Sequence, residues 1–266
     1  MAKTLAVLAL ASLGLRSMFT GRRAVLTAVL ISLPPTCAAL IGATSQGGFD
    51  WAWAMHGVSL RLVLSSYLIV LTLIHGLSLS SGEIEDGTAV YIHLGILPRW
   101  ATLLIRFGST TVLLSILTFA GLALSGLAVA VTMNAPAAAL LRLAVRYSFV
   151  ASVGIGCYLA LFLFCGYAFR RPAAVGISAT MLWEIVVTFF MPMRFAAYTL
   201  TNNLYGLALS LAMDGHPGRW FRYRRGSYEI PSYSEASLYV SLFLGFFLAA
   251  AMIAIMNRSI EGKEAR

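Results

Sequence analysis

The sequence has few charged residues. Asp, Glu, Lys and Arg make up 11% of its 266 residues, and hydrophobic residues make up 59%. Water-soluble domains carry about 25% charged and about 45–50% apolar residues. The charged share is too small to cover a water-facing surface, and no polar stretch is long enough to enclose a core of its own. The composition therefore excludes a soluble domain and indicates a chain that folds in a lipid bilayer.

Lysine is nearly absent, and the chain has no nucleotide-binding loop. Seventeen of the nineteen basic residues are arginines, and the two lysines, Lys3 and Lys263, do not follow a glycine-rich loop. No GxxxxGK[ST] segment is present to bind phosphates. ATP hydrolysis by this chain is therefore excluded. The arginine bias, with the abundant Ala, Leu and Gly, hints at a GC-rich bacterial genome.

The chain also lacks the residue patterns of a metal site or a catalytic centre. Its three cysteines, Cys37, Cys157 and Cys165, lie in apolar runs and form no CxxC pair or Cys/His spacing. We expect them to be small buried hydrophobic residues. No Ser/His/Asp triad or Cys nucleophile can be assembled at compatible membrane depths. The sequence therefore predicts no catalytic residue and no metal site.

The formal net charge of +9 does not indicate nucleic-acid binding. The basic residues form short clusters between apolar runs, as at 22–23, 170–171 and 219–225. Such clusters are typical of the flanks of membrane spans and of contacts with anionic headgroups. We therefore expect the lipid bilayer, and not a nucleic acid, to be the partner of these arginines.

Six apolar runs are long enough to cross a bilayer, which requires about 20 residues each. They predict an all-α, polytopic membrane protein with spans at about 24–44, 59–81, 103–132, 147–168, 173–193 and 236–257. Residues 45–58 are expected to be a loop. Residues 194–235 are expected to form the longest loop, with apolar pieces too short to cross.

The N-terminal segment 1–20 is apolar but short, and a basic pair follows it. A secretory signal peptide has its basic residues before the apolar run and a small-residue cleavage site after it. An amphipathic helix in the cytoplasmic interface fits better. With the N-terminus inside, eleven basic residues lie on the cytoplasmic side and eight outside. Both termini are therefore predicted to be cytoplasmic.

A cluster of acidic residues marks the end of the second apolar run. Residues 82–88 read GEIEDGT, and the polar break continues to Trp100. A carboxylate at the centre of a bilayer costs about 3 kcal/mol or more, so the cluster should lie in water or against a protein. After Gly87 interrupts the helix, Thr88 is suited to cap a new, short apolar helix. This pattern predicts a cytoplasmic docking element.

The same segment resembles a known family. The pattern Gly-Glu-x-Glu-x-Gly-Thr, followed by an apolar stretch and an arginine before the next span, is similar to the permease subunits of type-two ABC exporters, the ABC-2 permeases. Members often carry Pro-x-x-Arg here, whereas residues 96–99 of this chain read ILPR. The resemblance implies an elbow that receives force from an ATPase, formed by Gly82, Glu83, Glu85, Gly87, Thr88, Pro98 and Arg99.

The resemblance also implies the architecture and the partners. It implies one ABC-2-type transmembrane domain over 1–266, with an N-terminal interfacial helix, six spans, a coupling helix at about 83–99 and short half-inserted helices within 194–235. The chain would bind no cofactor itself, because a separate ATPase subunit binds ATP and Mg. A second permease copy would complete a homodimer or heterodimer that exports a substrate from the cell, and the membrane would be the bacterial inner membrane.

Glu184 is a further candidate functional residue. It lies about twelve residues into the predicted fifth span, or about 18 Å along a helix, near the bilayer midplane. Acids inside a membrane usually face a cavity or a polar partner. Glu184 is therefore predicted either to line or gate a pathway or to make a structural hydrogen bond.

The run RWFRYRR over 219–225 is unusual for an outer loop. It predicts either an aromatic and arginine anchor on lipid headgroups or a docking site for an anionic substrate or an extracytoplasmic protein. The candidate contacts are Arg219, Trp220, Arg222, Arg224 and Arg225.

Two other functions remain compatible with the sequence. In the first, ATP cycles drive an extracytoplasmic partner through the loop 194–235 and nothing crosses the membrane. In the second, the chain is a secondary transporter that runs on an ion gradient, with Glu184 and His75 as coupling groups. The second alternative leaves the acidic segment 82–88 without a role.

Overall fold

The computed structural model describes residues 21–44, 50–85, 98–187, 198–212 and 231–264. Within these ranges, only the backbone is described for 22, 81–85, 185 and 258–264. All regular structure in the described ranges is helical. The helices, numbered in chain order, are α1 (Gly21–Thr44), α2 (Trp51–Gly57, Val58–Tyr67 and Leu68–Glu85 without a break), α3 (Arg99–Met133), α4 (Ala137–Ala168), α5 (Pro172–Thr180 and Met181–Val187), α6 (Leu200–Ala212) and α7 (Tyr233–Glu264).

Five of these helices are long and apolar enough to cross a membrane. The qualifying stretches are Arg23–Thr44, Trp51–Ser80, Arg99–Met133, Ala137–Ala168 and Tyr233–Asn257. The predicted fifth span, 173–193, falls on α5, whose two described parts have nine and seven residues. Together these sixteen residues are fewer than the roughly 20 needed to span a bilayer. Residues 188–193 lie outside the described residues. The all-helical class is confirmed, and in the part of the chain that is described five helices have the length and apolar composition of membrane spans.

Two helices, α2 and α4, begin well before the spans predicted from the sequence. Residues 51–58, expected to be a loop, are helical from Trp51, because the Asp50 carboxylate accepts a hydrogen bond from the Ala52 N–H at 3.2 Å and caps the helix. Asn134, in the left-handed conformation with φ 49°, ends α3. Pro136 then starts α4 at Ala137, well before the predicted span at 147. Helix caps, which hydropathy does not register, determine these starts.

The outer surface of the described helices is apolar. Large hydrophobic side chains are exposed along α1, α3 and α7, among them Val29, Val131 and Leu242. Exposed surface of this kind is costly in water but matches the hydrocarbon chains of a bilayer. The described helices therefore have the surface of a multi-pass membrane protein.

Helix α4 is the centre of the bundle. Its most apolar stretch is 72% buried, against 17% for those of α1 and α7, and it packs on α2, α3, α5, α6 and α7. Tyr147, Tyr158 and Phe162 on α4 are almost fully buried. Small residues allow the helices to approach closely, as at Gly154, where an added Cβ would lie 2.8 Å from the Leu204 side chain of α6. The core is therefore built around α4.

Two stretches of the bundle form the wider π-helix, in which each N–H bonds five residues back. They are Val58–Tyr67 in α2, here the first π stretch, and Met181–Val187 in α5, here the second π stretch. Such turns are rare and often occur at functional sites. The Leu60 carbonyl of the first stretch and the Glu184 side chain of the second both bind the same short helix, α6.

Candidate functional site

Helix α6 is short and almost entirely buried. It has 13 residues, and eleven of them are buried against α4, α7 and the first π stretch. At 1.5 Å per residue it reaches about 20 Å, less than the roughly 30 Å of a bilayer core. A buried helix of this length needs partners for the backbone N–H groups of its first turn. Those partners define the candidate site.

Glu184 supplies two of these partners. One carboxylate oxygen accepts the Leu200 N–H at 3.0 Å, and the other accepts the Thr201 N–H at 2.9 Å. Glu184 is 5% exposed. The N-terminus of a helix carries a partial positive charge, which favours a carboxylate at this position. The structural hydrogen bond expected as one role of Glu184 is present, and its donors are backbone groups of another helix.

Neighbouring side chains complete the first turn of α6. The Thr199 hydroxyl accepts the Asn202 N–H at 3.3 Å, as a helix-capping threonine does. Tyr158 of α4 lies 3.1 Å, hydroxyl to hydroxyl, from Thr201, and both hydroxyls lie beside the Glu184 carboxylate. The start of α6 is therefore held by α4, α5 and its own cap.

The first π stretch holds the middle of α6. The Tyr205 hydroxyl, on α6, donates a hydrogen bond to the Leu60 carbonyl at 3.1 Å. Tyr205 is 8% exposed and Leu60 is 6% exposed, so water does not replace this bond easily. Together with Glu184, this contact links α6 to both π stretches.

We expect Tyr205→Phe to destabilise the protein by about 1–2 kcal/mol, because the buried Leu60 carbonyl loses its phenol donor while the ring remains. The measurement is thermal unfolding of the purified chain in mild detergent. Tyr233→Phe is the matched control, because Tyr233 is 51% exposed. Equal unfolding temperatures for the two variants would contradict the role given to the Tyr205 bond.

A cavity of about 500 Å³ lies next to Glu184. Helices α5 and α7 both pack on α4, and the cavity occupies the space between them. Its walls come from both helices, with one residue of α4 at the floor. The lining residues are Leu161, Ala179, Thr180, Leu182, Trp183, Glu184, Tyr239, Phe243 and Phe247.

The aromatic walls of the cavity are fixed in place. Tyr239, Phe243 and Phe247 follow one face of α7 at intervals of four residues, with ring centroids 6.1 and 4.6 Å apart. The Trp183 indole N–H donates to the Tyr198 carbonyl at 3.2 Å, and the Tyr239 hydroxyl donates to the same carbonyl. One backbone carbonyl therefore positions an aromatic ring on each side of the cavity.

The predicted ATPase-coupling residues fall partly outside the described residues. Gly82, Glu83 and Glu85 lie at the end of α2, where only the backbone is described. Gly87 and Thr88 lie outside the described residues. Pro98 is exposed and precedes α3, and Arg99 is its first, partly buried residue. The structure thus places the two ends of the predicted elbow at the end of one spanning helix and the start of the next.

The remaining candidates are the outer-loop residues and His75. The outer-loop residues Arg219, Trp220, Arg222, Arg224 and Arg225 lie outside the described residues. His75 is buried, and its Nε2 is 3.0 Å from the Thr27 hydroxyl of α1. In the described ranges, no group of three or more His, Cys, Asp or Glu is placed to hold a metal ion.

Sequence reasoning missed most of the residues around Glu184. Tyr158, Thr199 and Thr201 carry no pattern that predicts contact with an acid on another helix. The aromatic face of α7 could have been found, because Tyr239, Phe243 and Phe247 repeat every four residues, which places them on one side of a helix. For the apolar run of α6 the sequence predicts a piece too short to cross, and the resemblance implies short half-inserted helices within 194–235, but neither predicts the contacts with Glu184 and Leu60.

Comparison with known proteins adds no family to these observations. No protein-family model matches the chain, and no curated protein matches its sequence.

Proposed function

We propose that the chain is the membrane permease subunit of an ABC-2-type exporter, driven by ATP hydrolysis in a separate ATPase subunit. The observation that carries the proposal is the acidic GEIEDGT segment at 82–88, whose first residues end the spanning helix α2. Three carboxylates at this position need water or a protein partner. An ATPase surface with basic or donor groups meets that need.

The contacts of α2 suggest how force would reach the interior of the bundle. The helix runs without a break from Trp51 to Glu85, so a displacement at its acidic end moves its whole length. Its Leu60 carbonyl binds α6 through Tyr205, and α6 binds α5 through Glu184. A push on 82–99 would therefore be passed from α2 to α6 and α5, where the cavity lies. Two permease copies, identical or paralogous, would then rock against each other in the bacterial inner membrane.

The test is a co-purification in mild detergent from the native host. Tagged native chain is compared with the double variant Glu83→Arg/Glu85→Arg. We expect a subunit that carries GxxxxGK[ST] to co-elute with the native chain, together with ATPase activity. Both should be lost from the double variant, because reversed charge repels the basic surface that the acids contact.

The control is Glu261→Arg/Glu264→Arg, which reverses the charge of two acids in the C-terminal tail, a segment that is also predicted to be cytoplasmic. It should retain the ATPase, since the proposed contact lies at 82–99. Absence of any ATPase from the native chain would refute the ABC assignment. Equal loss from both double variants would mean that total charge, and not the elbow, governs association.

The two alternatives make different predictions. A chain that drives an extracytoplasmic partner would work through the loop 194–235, and reversing Arg222 and Arg224 would abolish its activity while the ATPase remains bound. A secondary transporter would move its substrate without any ATPase. The bonds of Glu184 favour a fixed role over proton carriage, because both oxygens already accept backbone N–H groups.

A further inference from the structure

The cavity between α5 and α7 has the size of a small-molecule site. Its volume of about 500 Å³ lies within the range of roughly 300–1,000 Å³ that is typical of ligand pockets. Leu182 and Trp183, which line it, are 63% and 47% exposed. Ile177 and Met181 of the same helix are exposed hydrophobic residues as well. In a bilayer this apolar surface would face the hydrocarbon chains, and an occupant that enters from there would be lipophilic.

The aromatic rings give the cavity a preference for positive charge. The ring faces of Trp, Tyr and Phe carry a negative quadrupole, and a cation within about 6 Å of a ring centroid is attracted to it. The hydrogen-bonding groups of Trp183 and Tyr239 are already used by the Tyr198 carbonyl. Their rings line the cavity, together with those of Phe243 and Phe247.

Glu184 strengthens this preference. Its described neighbours at the start of α6 are neutral groups, namely the backbone N–H groups of Leu200 and Thr201 and the hydroxyls of Thr201 and Tyr158. The carboxylate is buried, where the field of a charge is screened far less than in water. A cation in the adjoining cavity is attracted by this field, and an anion of the same size is repelled.

We propose that the cavity between α5 and α7 binds a lipophilic cation, held by the rings of Trp183, Tyr239, Phe243 and Phe247 and by the field of the Glu184 carboxylate. The inference rests on the proposed function in so far as it names the class of cargo exported. Binding itself requires no ATPase, so the two proposals are tested separately.

The test is equilibrium binding of radiolabelled tetraphenylphosphonium to the purified full chain in mild detergent. Tetraphenylborate, an anion of nearly the same size and shape, is the competing probe. We expect saturable binding of the cation that the anion does not displace. We also expect Glu184→Gln to weaken cation binding by about tenfold or more, since it removes the charge while retaining an acceptor oxygen.

Two further variants make the test independent of the folding of the Glu184 variant. Phe243→Leu should weaken binding by about fivefold, because it removes one ring from the wall and keeps the apolar bulk. Phe149→Leu is the control, because Phe149 is 61% exposed on α4 and does not line the cavity. It should bind tetraphenylphosphonium as the native chain does.

Three results would overturn the proposal: no saturable binding of the cation, equal binding of cation and anion, or equal weakening by Phe243→Leu and Phe149→Leu. If Glu184→Gln does not elute as a folded species, the two phenylalanine variants decide the outcome. Failure of cation binding leaves the ATPase co-purification result unaffected. Loss of the ATPase likewise leaves the binding result unaffected.

Discussion

Replacing Glu184 with Ala is expected to destabilise the protein by about 2–5 kcal/mol, the cost of leaving two buried N–H donors without acceptors. Leu200 and Thr201 would lose the oxygens that now lie 3.0 and 2.9 Å from their nitrogens. No water replaces them easily, because Leu200 is fully buried and Thr201 is 4% exposed. Thermal unfolding of the purified chain in mild detergent measures the loss.

The chain contains a matched control for this variant. Glu235 also caps the start of a helix, accepting the Ser232 N–H at 2.9 Å, but this contact is exposed. Water can take the place of its carboxylate, so Glu235→Ala should lower the unfolding temperature far less than Glu184→Ala. Similar shifts for the two variants would show that burial does not govern the contribution of Glu184, and the account of α6 would then be wrong.

Substitution of Glu184 bears on function as well as on stability. Glu184 is both the acceptor for the first turn of α6 and part of the cavity wall. Glu184→Gln retains one acceptor oxygen, so its stability should lie between those of the native chain and Glu184→Ala. If Glu184→Gln remains folded and loses cation binding, the structural and binding roles of this residue are separated experimentally.

The helical, membrane-spanning class could be predicted from the sequence because a bilayer allows few choices. Backbone groups in hydrocarbon must bond within their own segment or in a closed barrel, so a run of about 20 apolar residues predicts a helix. The boundaries were harder. The early start of α4 depends on Asn134 and Pro136, and that of α2 depends on Asp50, which hydropathy does not register.

The candidate site could be predicted only in part, because its contacts join residues that are distant in the chain. The position of Glu184 predicted a polar partner. That partner proved to be backbone N–H groups 16 and 17 residues later, and no side-chain pattern encodes a backbone donor. The Tyr205–Leu60 bond spans 145 residues and depends on how α6 is packed into the bundle. For Glu83 and Glu85, the coupling role remains a prediction.

Helices α2 and α4 pack closely at Gly76. An added Cβ there would lie 2.8 Å from the Phe162 Cβ and 3.3 Å from the Leu159 Cδ1. Both neighbours are fully buried, and a Cβ cannot move aside as the end of a flexible side chain can. The Gly76 backbone therefore lies directly against the base of the Phe162 side chain, a close approach of the kind that small residues allow where membrane helices meet.

Gly76→Ala is therefore expected to destabilise the protein by about 1–3 kcal/mol, the usual cost of overpacking a core, measured by thermal unfolding in mild detergent. Gly108→Ala is the matched control, because an added Cβ on α3 would meet nothing within 4 Å. Alanine is favoured over glycine inside a helix by up to about 1 kcal/mol, so Gly108→Ala should be neutral or slightly stabilising. If Gly76→Ala is also stabilising, α2 and α4 do not pack as closely at Gly76 as described.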